Sequence, residues 1–254
     1  MVKTFFYGSD WRSQIVLEKI RKSRDIELIN DWKKADLGLV ASYGKILTQQ
    51  EIEHFKQGVL NVHPSLLPKY RGGKQVAATI LNGEEVTGVS IIKLVEKVDA
   101  GPIVAQIKAK ILPGETTAEL EKRLFELGGK LLGTILAKYL AGKIKVRAQN
   151  EDLASWAPKL TKQDGEIDWC QKPRGLERFI RAMNPCPGAW INLKLKVKNQ
   201  KEVVKRLKIL KAHLKKDKLI LDEVQLEGKK PVAFRQFLAG YPQLQPFWQS
   251  KQLI

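Results

Sequence analysis

Cysteine occurs twice and histidine three times in this 254-residue chain. Cys170 and Cys186 stand apart with no CxxC pair, which leaves no basis for a disulfide framework and predicts two unpaired thiols. No Cys/His cluster is present, which argues against a zinc site. No apolar run approaches the ~20 residues that a membrane span requires. The opening MVKTFFYGSDW lacks the long apolar core of a secretory signal. The expectation is a cytoplasmic protein with no membrane partner. A GxGxxG fingerprint, a phosphate-binding loop and a serine elbow are missing as well, which removes three common enzyme classes.

Acidic residues are also scarce. There are 27 Asp and Glu against 45 Lys and Arg, for a net charge of +18. Residues 143–254 carry +13 of this and residues 1–142 only +5. The densest stretch, Asn192–Leu219, has eleven basic and two acidic residues. Such a field attracts a polyanion, with a plainly solvated lysine-rich face as the alternative.

The first part of the chain alternates strand and helix signals. Strands are expected at Val2–Tyr7, Ile26–Ile29, Leu37–Ser42, Val59–His63, Gly88–Leu94 and Ile103–Ile111. Helical spacing follows Gly8-Ser9-Asp10, with Ile15, Val16, Leu17 and Ile20 on one side. Thr48 and Glu51 form a capping-box pair, and Gly72–Leu81 reads as another helix. The longest helix opens at Thr116 and Glu119 and carries an expected stripe of Leu120, Leu124, Leu127, Leu131, Ile135 and Tyr139, with Gly142 past its end. This order predicts an α/β domain with a mostly parallel sheet covered on both faces. Beyond it a broken, polar segment reads as a linker. Leu176–Met183 then reads as a helix, and Ala189–Val197, Val203–Ala212 and Leu219–Leu226 as strands alternating apolar and basic residues, which suggests a small β-barrel or sandwich. The expected division is 1–147, a linker at 148–162, and a basic second domain at 163–254.

One constellation carries candidate chemistry. Asn61 and His63, two apart at the end of a strand, share a face at the sheet edge where α/β proteins place their sites. Asp99 lies in the turn-rich Val98-Asp99-Ala100-Gly101-Pro102. An amide donor, an imidazole and a carboxylate suit transfer of a carbonyl group, with the first two stabilising an oxyanion. By spacing alone, a structural histidine and an ordinary turn aspartate remain open.

The motifs NVHPSLLPKYRGG (Asn61–Gly73), Thr87-Gly88-Val89 and Asp99-Ala100-Gly101-Pro102 are similar to the signature of the folate-dependent formyltransferases. The run Ser42-Tyr43-Gly44-Lys45-Ile46-Leu47 resembles that family's folate-pocket border. The segment Trp156–Trp169, together with Leu176-Glu177-Arg178 and Asn184-Pro185-Cys186-Pro187-Gly188, resembles the branch that acts on methionyl-tRNA. The resemblance implies a Rossmann-like catalytic lobe followed by an oligonucleotide-binding-like barrel, 10-formyltetrahydrofolate as co-substrate without a metal, and methionyl initiator tRNA as the partner, with no obligate protein partner. It implies catalytic roles for Asn61, His63 and Asp99. It assigns the folate side to Tyr43, Gly44, Lys45, Ile46, Leu47, Ser65, Leu66, Leu67, Pro68, Val98 and Gly101, with a cis Leu67-Pro68 bond. Gly8, Arg71, Lys205, Arg206 and Lys208 are expected on the acceptor side. A branch that formylates sugar-nucleotide amines is the alternative enzyme, and a non-catalytic RNA-binding descendant the alternative of another kind.

Three departures from the family pattern stand out. Gly73-Lys74-Gln75 replaces an Ala-Ala-Pro continuation, and Cys186 replaces a tryptophan. About seven residues join the second and third strands, where the resemblance implies a longer insert with a basic loop that engages the acceptor end of the tRNA; Trp32-Lys33-Lys34 is what remains.

Overall fold

A computed structural model describes residues 1–195 and 202–251. The chain forms two units. The first comprises Met1–Thr79, Glu84–Ile111 and Glu119–Pro158; the second comprises Ile80–Gly83, Leu112–Ala118 and the chain from Lys159.

In the first unit, strands β1 (Val2–Tyr7), β2 (Ile26–Leu28), β3 (Leu37–Ala41), β4 (Val59–His63), β5 (Val86–Lys93) and β6 (Ile103–Lys110) form one sheet in the order β2-β1-β3-β4-β5-β6. The first four run parallel; β5 pairs antiparallel with β4, and β6 antiparallel with β5, so β6 again shares the direction of the first four. All five residues of β3 are buried, as a central strand covered on both faces requires. From β1 the chain turns first to β2 and then to β3 on β1's other side. This switch leaves a crevice at the carboxyl ends of β1 and β3. Helix α1 (Trp11–Ile20) opens there, with Asp10 as its N-cap accepting from the Arg12 and Ser13 amides. The expected Thr48–Glu51 capping box is formed, ahead of α2 (Gln49–His54). In the short link between β2 and β3, Asp31 caps a single turn, Trp32–Lys34, and Trp32 packs edge-on against His54.

Two expectations here need correction. Helix α3 spans Gln75–Leu81 and does not start at Gly72. Gly72 has φ +102° and its N–H bonds Asp99, so it cannot take the first helical position. Helix α4 (Thr117–Leu140) buries Leu120, Leu124, Phe125, Leu132 and Leu136, while Leu127, Leu131, Ile135 and Tyr139 are only half-buried. The contact line is set by Gly128, where a Cβ would stand 2.5 Å from the Val62 side chain. An absent side chain thus lets helix and strand close together where a leucine stripe would suggest a different face.

In the second unit, α5 (Pro173–Met183) precedes β7 (Ala189–Leu195), β8 (Val203–Lys215), β9 (Lys218–Leu226) and β10 (Val232–Ala233), which form an antiparallel sheet in the order β10-β9-β8-β7. Among the described residues no strand pair closes it into a barrel. Its inner face buries Leu193, Leu195, Leu207, Ile209, Leu221 and Val224. Helices α6 (Phe234–Gly240) and α7 (Gln245–Ser250) complete the core with Phe234, Phe237 and Trp248. Neither was anticipated: both are a turn or two long, although Phe234, Phe237 and Leu238 of α6 stand at helical spacing. The end of the expected Ala189–Val197 strand, and Lys196, Lys198 and Lys201 of the basic stretch, lie outside the described residues. Cys170 and Cys186 are free and exposed. Among the described residues no helix is long and apolar enough to cross a membrane.

Candidate active site

The register of β4 fixes the first two candidate residues. Asn61 sits opposite Val40 of β3 and Ile92 of β5, and His63 sits opposite Ser90. Alternation turns both side chains to one face at the strand's carboxyl end. His63 is 3% exposed, its Nε2 lies 3.2 Å from the Tyr70 carbonyl, and its Nδ1 lies 3.5 Å from Asp99 Oδ1. Each ring nitrogen therefore faces an oxygen acceptor, which locks the ring's orientation. The Asn61 side-chain amide makes no hydrogen bond among the described residues and faces the cavity.

Asp99 is held from both sides. Its backbone is left-handed (φ +51°), an uncommon state for a residue with a Cβ. Gln149 Nε2 donates to the Asp99 and Gly101 carbonyls, both at 2.7 Å, and the Gly72 N–H donates to Asp99 Oδ2 at 2.9 Å. Burial opposes ionisation of Asp99, but the His63 hydrogen bond and charge, the Gly72 N–H and Arg71 outweigh it and hold the carboxyl below its ordinary value. Any Cβ at Gly101 would stand 1.8 Å from the Lys93 carbonyl, so this glycine permits the hairpin that presents Asp99.

A cavity of roughly 540 Å³ opens on these residues. Tyr43, Gly44, Lys45, Ile46 and Val98 form one side of it, and Ser9, Asp10, Arg12, Gln75, Glu121 and Phe125 form another. A smaller apolar recess of roughly 110 Å³ continues behind Ile46, Leu47 and Val98 and shares Asn61 and Asp99. Of the expected folate-side residues, Tyr43–Leu47 and Val98 thus gather around the catalytic candidates.

Others lie elsewhere. Ser65–Pro68 do not line the cavity: Ser65 Oγ donates to the Lys69 carbonyl, Ser90 Oγ donates to the Ser65 carbonyl, and Leu67 N–H donates to Ser90 Oγ. This loop, with a cis Leu67-Pro68 bond, forms the support behind His63. Gly8 is packed against Ser13 and Phe6. Arg71 is 1% exposed and fully engaged by Gln149 and by Glu151 at 2.6 Å; Arg71 and Lys97 pull the Glu151 carboxyl down to about 2. Arg71 is an internal strut, buried away from the cavity lining and tied to Gln149 and Glu151. In the second unit Arg206 and Lys208 share the outer face of β8 and line an open cavity of roughly 480 Å³, with Arg206 stacked 3.7 Å over the Trp190 ring. Lys205 has the opposite parity and pairs with buried Leu193.

Sequence reasoning missed the charged wall. Arg12 donates to both Glu121 oxygens at 3.1 Å and through Nε to Asp10 at 2.8 Å, while Ser42 Oγ donates to Asp10. Burial pushes the Glu121 carboxyl up. The Gln75 side-chain oxygen is buried without a hydrogen-bond partner among the described residues. Asp10 could have been found from its place just after β1 at the switch point. Glu121 and Gln149 carry no local signal.

Residues 18–136 match the Formyl transferase family and residues 159–219 match Formyl transferase, C-terminal domain. A methionyl-tRNA formyltransferase of Protochlamydia amoebophila is 34% identical over 225 residues, covering 82% of this chain and 71% of that protein. The chain belongs to the formyltransferase family. Methionyl-tRNA formyltransferases of Chloroflexus aggregans and Thermotoga maritima are 43% and 40% identical, covering 66% and 68% of this chain. The chain spans 55% of the length of each of these two relatives. Among solved structures, a methionyl-tRNA formyltransferase from Clostridium thermocellum aligns with TM-score 0.66 at 18% identity, over 89% of this chain and 99% of that one. An N-formyltransferase from Helicobacter canadensis, in complex with folinic acid and dTDP-3-aminofucose, gives 0.65 at 18% identity, over 85% and 88%. At that identity both speak for the fold.

Proposed function

We propose that this formyltransferase moves the formyl group of 10-formyltetrahydrofolate to the α-amine of methionyl-tRNA. The carrying observation is the unpartnered Asn61 amide beside the His63–Asp99 pair on one cavity wall. The amine nitrogen attacks the formyl carbon and a C–N bond forms. The carbonyl oxygen becomes an oxyanion, which the Asn61 N–H meets with the His63 ring beside it. The proton leaving the amine is taken up by the His63–Asp99 pair and returned to N10 as the C–N10 bond breaks, releasing tetrahydrofolate. Asp99, its carboxyl held below the ordinary value, faces His63 Nδ1 at 3.5 Å and fixes the ring beside Asn61. The apolar recess behind Ile46, Leu47 and Val98 suits the folate ring system, and the basic second unit suits the tRNA backbone. Fold likeness to sugar N-formyltransferases does not separate acceptors, because the same fold serves both.

Asn61→Ala tests the oxyanion role. It is expected to lower kcat by about 10²–10³-fold, with the dissociation constants of tetrahydrofolate and methionyl-tRNA little changed. Loss of binding with unchanged turnover contradicts the assignment.

A further inference from the structure

Trp156 is 56% exposed, although Trp190 and Trp248 of the same chain are 5% and 0% exposed. It is nevertheless held firmly. Arg71 N–H donates to the Ser155 carbonyl and Ala157 N–H to the Arg71 carbonyl, both at 2.8 Å, and Tyr70 N–H donates to Ser155 Oγ. The indole edge lies 3.8 Å from where a Gly72 Cβ would stand, which puts the ring beside Gly72 at ordinary contact distance. The three residues it rides on are those that hold the reaction centre: Tyr70 accepts from His63, and Gly72 bonds Asp99 and lines the cavity.

We propose that Trp156 is a stacking platform for the terminal adenine of the acceptor tRNA. This rests on the acceptor reading above. In an aminoacyl ester of a terminal adenosine, the base is one ribose away from the reacting amine, so an amine at Asn61 and His63 places the base at the cavity rim. A fixed, water-exposed indole at that rim supplies a π-face for an unpaired base. Its attachment through Tyr70–Gly72 sets the base's distance from the catalytic pair by a single short backbone segment.

The test varies methionyl-tRNA at saturating 10-formyltetrahydrofolate and measures 5′-AMP binding separately. Trp156→Ala is expected to raise KM for methionyl-tRNA roughly 5- to 150-fold, with a far smaller change in kcat or in KM for the folate. Trp156→Phe should restore most of the loss. 5′-AMP should quench tryptophan emission in the wild type by more than in Trp156→Phe, and should compete with methionyl-tRNA. An unchanged KM in Trp156→Ala overturns the platform, as does a fall confined to kcat, which would show that the ring acts through Gly72. If the wild type does not formylate methionyl-tRNA, the acceptor reading fails. The platform then stands or falls on 5′-AMP quenching alone, and equal quenching with and without Trp156 refutes it.

Discussion

Asp99 shows how much a single side chain depends on neighbours distant in sequence. Its backbone sits at φ +51°, its carbonyl is held by Gln149, and its carboxylate by Gly72 and His63. Such strain persists where surrounding bonds over-determine the conformation, and it concentrates at functional sites. Because the folded state holds the Asp99 carboxyl below its value of about 3.9 in the unfolded chain, its stabilising contribution is fully present above that pH. It is lost as pH falls through the folded value. Asp99→Asn should therefore lower kcat by about 10²–10⁴-fold. Its stability deficit against the wild type, followed by thermal unfolding, should be largest at neutral pH and shrink below about pH 4. A deficit that grows in acid would show that Asp99 is not held ionised. Asn61, His63 and Asp99 were legible because they fall in an ordered motif at strand ends. Gln149, Glu151 and Glu121 were not, since each meets the site only through the fold.

At the level of elements, every strand of the first sheet was visible as a short apolar run, and its ends shifted by no more than two residues. The second sheet was less legible. Strands β8 and β9 run to Lys215 and Lys218, past the expected ends at Ala212 and Leu219. They join through Lys216 and Asp217, both left-handed at φ +49° and +59°. This is a two-residue hairpin turn made without the asparagine and glycine that usually mark one. Replacing Lys216-Asp217 by Asn-Gly should stabilise the protein by about 1 kcal/mol, a rise of about 2–4 °C in the unfolding temperature. A lowered transition would mean that these side chains make contacts that outweigh their backbone strain.

For the whole molecule, charge is arranged by depth. The chain is strongly basic, at net +18 overall, yet the cavity beside Asn61 and His63 is lined by Asp10, Asp99 and Glu121 against Arg12 and Lys45. A polyanionic acceptor is attracted to the outside, while the cavity itself favours an amine over a phosphate. The total charge was legible from composition. Its inversion inside the cavity was not, because Asp10, Glu121 and Asp99 are far apart in sequence and the fold brings them together. The most direct measurement supplies the enzyme and 10-formyltetrahydrofolate with equal amounts of methionyl-tRNA and an amino-sugar nucleotide, and then locates the formyl group by mass spectrometry. N-formylmethionyl-tRNA is the expected dominant product; formyl groups found on the sugar amine, or on neither acceptor, would rule out methionyl-tRNA as the acceptor.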